Sequence, residues 1–164
     1  MAISIRRATL EDAAGISAVW EAIVAEKAYS AVDRVFTPDE ERAYLSGLSP
    51  RESCYVADHA GRIVGFQSLD RWSSFMTSSL HVGQLGTFVL KEYRGTGIGA
   101  RLAATTFDFA RAHAYEKLVV FVRGSNSAAQ AFYKSLGFFE CGRLARQVEI
   151  DGVYDDEVLM ELAL

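Results

Sequence analysis

The sequence predicts an α/β domain of the α+β kind, in which a mixed sheet carries about four helices. Three observations predict it. The apolar run Leu85-Gly86-Thr87-Phe88-Val89-Leu90 leads into Arg94-Gly95-Thr96-Gly97-Ile98-Gly99-Ala100 and then into an amphipathic helical pattern. A second strand-like run, Val119-Val120-Phe121-Val122, is followed by a helical pattern that stops at a glycine. Near the end, Ile150-Asp151-Gly152-Val153 is a two-residue hairpin signal joining the last two strands.

Residues 3–7 alternate as a strand, and Thr9 then suits the cap of a helix whose apolar stripe runs through Ile16, Val19, Trp20 and Ile23. Thr37-Pro38-Asp39-Glu40 combines a capping box with proline at the first helical position, so a second helix should run to about Ser46. Residues 53–58 and 63–69 read as strands around a turn at Gly61, followed by a long polar connection over 71–79. Leu102, Thr106, Phe109 and Ala110 mark the buried face of the helix after the glycine-rich stretch. In the last helix Ser125 or Asn126 fits the N-cap, Ala129, Phe132 and Leu136 recur at helical spacing, and Gly137 fits the left-handed position that ends a helix.

The chain has 164 residues, half of them apolar, enough for one domain with a sizeable core. Two prolines, and no low-complexity tract, repeat or composition break, argue against a linker or an array, so residues 1–164 are expected to fold as a unit. A net charge of −4 and a pI near 5.4 give no basic stripe for nucleic acid. The start lacks a signal-peptide core and no apolar run is long enough for a membrane span, so a soluble cytoplasmic protein is expected. Cys54 and Cys141 read as reduced core or near-core thiols, and His59, His81 and His113 lack metal-ligand spacing, so no metal is expected.

The glycine-rich stretch reads as a cradle for a phosphorylated cofactor. Glycines let the backbone approach a ligand closely, and the free N–H groups at the start of the next helix face a negative group. A dinucleotide fold would want its glycines near the first strand and an acidic residue about 20 positions later, and a nucleoside triphosphate loop would want Gly-Lys-Ser/Thr. Neither pattern is present.

Together these segments resemble the GNAT superfamily of acetyl-coenzyme A dependent N-acetyltransferases. The family's Arg/Gln-x-x-Gly-x-Gly/Ala is matched by Arg94, Gly97 and Gly99, and its Asn-x-x-Ala, Tyr, Leu-Gly-Phe pattern by Asn126, Ala129, Tyr133 and Leu136-Gly137-Phe138. The resemblance covers nearly the whole chain. It implies a mostly antiparallel sheet of about seven strands, splayed between strands 4 and 5, with acetyl-coenzyme A as cosubstrate. It further implies that backbone groups of Thr87, Phe88 and Val89 hold the pantetheine arm, that N–H groups from Arg94 through Ala100 hold the pyrophosphate, and that Asn126 bonds the arm. A homodimer is also expected from it.

The chemistry implied is direct attack of an amine on the acetyl carbonyl, without a covalent intermediate, with Tyr133 as the acid for the departing thiolate. Relatives that carry a glutamate base on the strand before the loop would place it near Gly83 or Gln84, and residues 71–91 contain no carboxylate. His81, an imidazole, is the side chain there suited to the task. Glu21, Glu26 and Asp33 on the acceptor side, or a water chain, are the alternatives. The acceptor is expected to be a primary amine of a small molecule such as an amino acid, with Arg143 or Arg146 available for an acceptor carboxylate. A ribosomal-protein N-terminus and a non-catalytic coenzyme A sensor are the other readings.

Overall fold

The computed structural model describes residues 2–164. In chain order the elements are β1 (Ser4–Arg7), α1 (Ala13–Glu26), α2 (Pro38–Gly47), β2 (Ser53–His59), β3 (Arg62–Arg71), β4 (Val82–Val89), α3 (Ile98–Ala112), β5 (Lys117–Arg123), α4 (Ser127–Ser135), β6 (Phe139–Ile150) and β7 (Val153–Ala163). The seven strands form one open sheet in the order β1-β2-β3-β4-β5-β7-β6. Every neighbouring pair is antiparallel except β4 and β5.

Local chemistry sets most boundaries. Thr37 accepts the Glu40 N–H at 3.2 Å, and Glu40 Oε2 accepts the Thr37 N–H at 2.8 Å, closing the capping box that opens α2. Thr9 caps a short 3-10 turn, Leu10–Asp12, rather than α1 itself. At the β6–β7 hairpin both Asp151 and Gly152 have positive φ, the pair of angles that a type I′ turn requires. Helix α4 ends in a Schellman motif, in which the Phe138 N–H donates to the Tyr133 carbonyl and the Gly137 N–H to the Lys134 carbonyl, both at 3.0 Å.

Alternation along β3 divides the sheet's two faces. Phe66 meets Trp20 of α1, and Asp70 meets Tyr44 of α2. Gln67 and Leu69 point the other way, toward the α3 and α4 side, where Leu69, Phe107, Leu118, Val120, Tyr133 and Met160 share one buried cluster. Trp20, Phe66, Val56, Ile98 and Leu102 belong to a second. Among the described residues no helix is long and apolar enough to cross a membrane.

Of the two cysteines, Cys54 is buried in the second cluster, where burial pushes its thiol pKa up. Cys141 departs from expectation, because it lies on the edge strand β6, with no strand beyond it, and is exposed.

Gly137 sits at φ +99°, and a Cβ there would approach Leu162 Cδ1 to 3.2 Å. Gly137→Ala is therefore expected to destabilise the fold by about 1–2 kcal/mol, the ordinary cost of a left-handed non-glycine residue. Urea unfolding measures this as a lower midpoint at unchanged slope.

Candidate active site

Strands β4 and β5 share a ladder at Val82, Gly83 and Gln84 only, opposite Lys117, Leu118 and Val119. Beyond that β4 stays with β3 and β5 stays with β7, so a gap opens in the middle of the sheet. A cleft of about 750 Å³ occupies it and is lined by both walls, the glycine-rich loop, α4 and the loop after α1.

The backbone of β4 decides what the gap is offered. Trp72 N–H bonds the Val82 carbonyl and Leu90 N–H bonds the Val64 carbonyl, so by antiparallel alternation the even residues of β4 spend their backbone groups on β3. Leu85, Thr87 and Val89 are left facing the gap. Phe88 departs from the expected role: its main-chain groups belong to the β3 ladder, and its ring packs on Trp20 with centroids 4.2 Å apart.

At the upper end the loop fits an anionic group. Gly97, at φ +87°, caps α3, and nothing lies within 4 Å of where its Cβ would be. The first helical bond is given by Arg101 N–H to the Gly97 carbonyl at 3.1 Å, which leaves the N–H groups of Ile98, Gly99 and Ala100 without helical partners. All three residues line the cleft. Gly99 also admits the Phe132 ring, whose atoms come within 3.0 Å of a built Cβ.

Arg94 fastens this loop to α1. Its guanidinium makes a two-point pair with Glu26 at 2.6 and 2.8 Å, donates from Nε to the Val89 carbonyl at 2.9 Å, and lies over the Tyr29 ring. Glu26, a candidate base, is thus committed to Arg94. Glu21 and Asp33 are exposed and do not line the cleft.

Asn126 Oδ1 caps α4 by accepting the Ala129 N–H at 3.0 Å, and its Nδ2 donates to the Tyr29 carbonyl at 3.2 Å. Tyr133, two turns further along and buried, donates its hydroxyl to Thr87 Oγ1 at 2.9 Å. Gln67 Nε2 donates to the same oxygen at 2.8 Å. Burial pushes the Tyr133 pKa up to about 12, so the phenol keeps its proton through the neutral range.

His81 is placed elsewhere. It is exposed just before β4, its carbonyl accepts from Glu116 and Lys117, and its side chain is outside the cleft wall, because the strand turns inward only from Val82 onward. Arg143 pairs with Asp156, and Arg146 lies over Tyr154, and neither lines the cleft. Two carboxylates that do line it are Asp70 and Glu157, both held above their usual range by burial. Asp70 sits one residue past the predicted end of its strand, and Glu157 is the third of an Asp155-Asp156-Glu157 run whose first two members bind Arg123 and Arg143.

Fold and cleft define a class, that of acetyl-coenzyme A dependent N-acetyltransferases, and residues 18–138 match the model of the acetyltransferase (GNAT) family. The chain belongs to that family. Among its relatives, the L-amino acid N-acyltransferase MnaT of Escherichia coli is 24% identical over 99% of this chain and 94% of its own. The N-alpha-acetyltransferase RimI of Mycobacterium tuberculosis is 33% identical over 63% of each chain. In structure, a GNAT superfamily phosphinothricin acetyltransferase from Sinorhizobium meliloti, solved in complex with AcCoA, superimposes with a TM-score of 0.91 at 19% identity, over 100% of this chain and 89% of that one. Among the described residues no group of three or more His, Cys, Asp or Glu side chains is placed to hold a metal ion.

Gly97→Asp puts a Cβ at a left-handed position and a negative charge beside the unpartnered N–H groups that open α3. Affinity for coenzyme A in calorimetry is expected to fall by about tenfold or more. Unchanged affinity would show that the loop is not the cradle.

Proposed function

We propose that this protein transfers the acetyl group of acetyl-coenzyme A directly to a primary amine of a small molecule such as an amino acid or amine. The observation that carries the reading is the cleft itself, which joins a glycine-rich helix start to a gap between parallel strands and brings Tyr133 to that gap. In this reading the N–H groups of residues 95–100 hold the pyrophosphate, the Arg94 N–H being given to the Lys91 carbonyl at 3.2 Å. Gap-facing backbone of Thr87 and the N–H of Val89, whose carbonyl is taken by Arg94, hold the pantetheine arm together with the Asn126 side chain. Tyr133 gives its proton to the departing thiolate, for which it must turn from Thr87 Oγ1.

A covalent acyl-enzyme has no support here, because neither Cys54 nor Cys141 lines the cleft. A small acceptor rather than a protein terminus is favoured by the acceptor end, which is walled by Trp20, Phe36 and Phe121. The acidic run Asp155-Asp156 offers little to a basic protein, since both carboxylates are used internally.

The deciding experiment is thiol release from acetyl-coenzyme A across amino acids, polyamines, aminoglycosides and N-terminal peptides. Turnover with small amines supports the reading, and turnover confined to peptides replaces it with N-terminal acetylation. Coenzyme A binding without any release favours a sensor. Tyr133→Phe is expected to lower kcat by about 10² while leaving coenzyme A affinity unchanged. Because the phenol titrates only near pH 12, wild-type activity should show no alkaline fall due to Tyr133 below that region.

A further inference from the structure

An amine acceptor arrives mostly as an ammonium ion, and it must lose a proton before its lone pair can attack the thioester. Strand β4 offers no carboxylate for this, and its residue 84 is a glutamine. Directly opposite Gln84 in the ladder stands Asp70 of β3. Residues paired in this way point to the same face of a sheet, and both line the cleft. That face is the one covered by α1 and α2, whereas Thr87 and Tyr133 belong to the α3 and α4 side.

Asp70 is fixed without being closed off. Tyr44 of α2 donates to its Oδ1 at 2.8 Å, yet the residue stays partly exposed. Asp70 and Ser68 also line a second chamber of about 200 Å³, bounded by Trp20, Glu41 and the exposed Glu40. A carboxyl at this position touches the acceptor end of the cleft on one side and a path between α2 and the sheet on the other.

We infer that Asp70 takes the proton from the incoming amine, with the chamber beside Glu41 as its way out to solvent, an inference that rests on the acetyl-transfer reading above. The ammonium gives one proton to Asp70, which passes it to water. The nitrogen lone pair forms the N–C bond as the C–S bond breaks. The second departing N–H proton goes to water, and the thiolate takes the Tyr133 proton, which Tyr133 regains from solvent. The sum is an amide, free thiol and one proton released.

The titratable and charged groups around Asp70 are Tyr44, Glu40 and Glu41 from α2, Cys54 of β2, the ion-paired Glu52 and Arg71, and Tyr115 beyond them. Burial raises the Asp70 pKa above the usual aspartate value, Glu52 adds to the rise, and the Tyr44 bond opposes it. The direction brings the group closer to the working range of a base.

The test compares wild type, Asp70→Asn and Asp70→Glu, using the best acceptor found in the thiol-release panel, peptide or small molecule. Asp70→Asn is expected to lower kcat by about 10², and the deficit should shrink as pH rises and free amine accumulates. Coenzyme A affinity should be unchanged, and Asp70→Glu should restore part of the rate. Tyr44→Phe, which only frees the carboxyl, should lower kcat less. An Asp70→Asn rate within about twofold of wild type, or a loss by the same factor at every pH, overturns the assignment and leaves acetyl transfer standing. Wild type that releases no thiol with any acceptor overturns the transfer reading, and this assignment with it.

Discussion

Two strands that stay together for three residue pairs and then part leave polar backbone unpartnered in the middle of a sheet. Buried backbone groups left without a partner cost about 1–3 kcal/mol each. A gap of this kind survives only where something else holds the strands apart and where a ligand or water can satisfy what they expose. Strand β4 is held outward by its seven-position ladder with β3, and β5 is held outward by an equally long one with β7. The parting is thus imposed from both flanks, and the site is a property of the whole sheet.

The rims of the gap are fastened by two arginines. Arg94 ties the glycine loop to Glu26 at the end of α1, and Arg123 pairs with Asp155 at 2.9 Å while donating to the Lys27 carbonyl at 2.7 Å. Both contacts converge on the chain just after α1. Inside the gap, Gln67, Thr87 and Tyr133 form a short polar chain in an apolar setting, and Gln67 Oε1 has no partner among the described residues. A buried amide with one end unmet is poorly suited to stability alone. It donates to Thr87 Oγ1, the same oxygen that accepts the Tyr133 phenol.

Features governed by neighbouring residues were legible in the sequence. The Thr37–Glu40 box, the Asp151-Gly152 turn, the Gly137 stop and the glycine loop each depend on chemistry within a few positions. What the sequence hid depended on partners far along the chain. Strand β3 runs to Arg71 because its last residues pair with Gln84 and Gly83, and that pairing is what carries Asp70 into the cleft wall. His81 looked apt by its chemistry alone. Its exposure follows from the start of β4 and from the return of the chain at Glu116 and Lys117. The alternation that turns Phe88 toward β3 and Thr87 toward the gap needs the register, which no single strand contains.

The segment between α1 and α2 lines the cleft, and two of its carbonyls are held by groups of the opposite wall. Asn126 bonds the Tyr29 carbonyl, Arg123 bonds the Lys27 carbonyl, and the Tyr29 ring lies against Arg94. Phe36, at the far end of the same segment, helps to wall the acceptor end, and its carbonyl is anchored by Ser17 at 2.6 Å. A ligand that recruits Asn126 competes with the strap for the same amide. Filling one end of the cleft therefore changes the free energy of the strap that shapes the other, and by thermodynamic reciprocity the second ligand must change the affinity for the first by the same factor. In the proposed reading those two ligands are the cosubstrate and the acceptor, held against one shared strap.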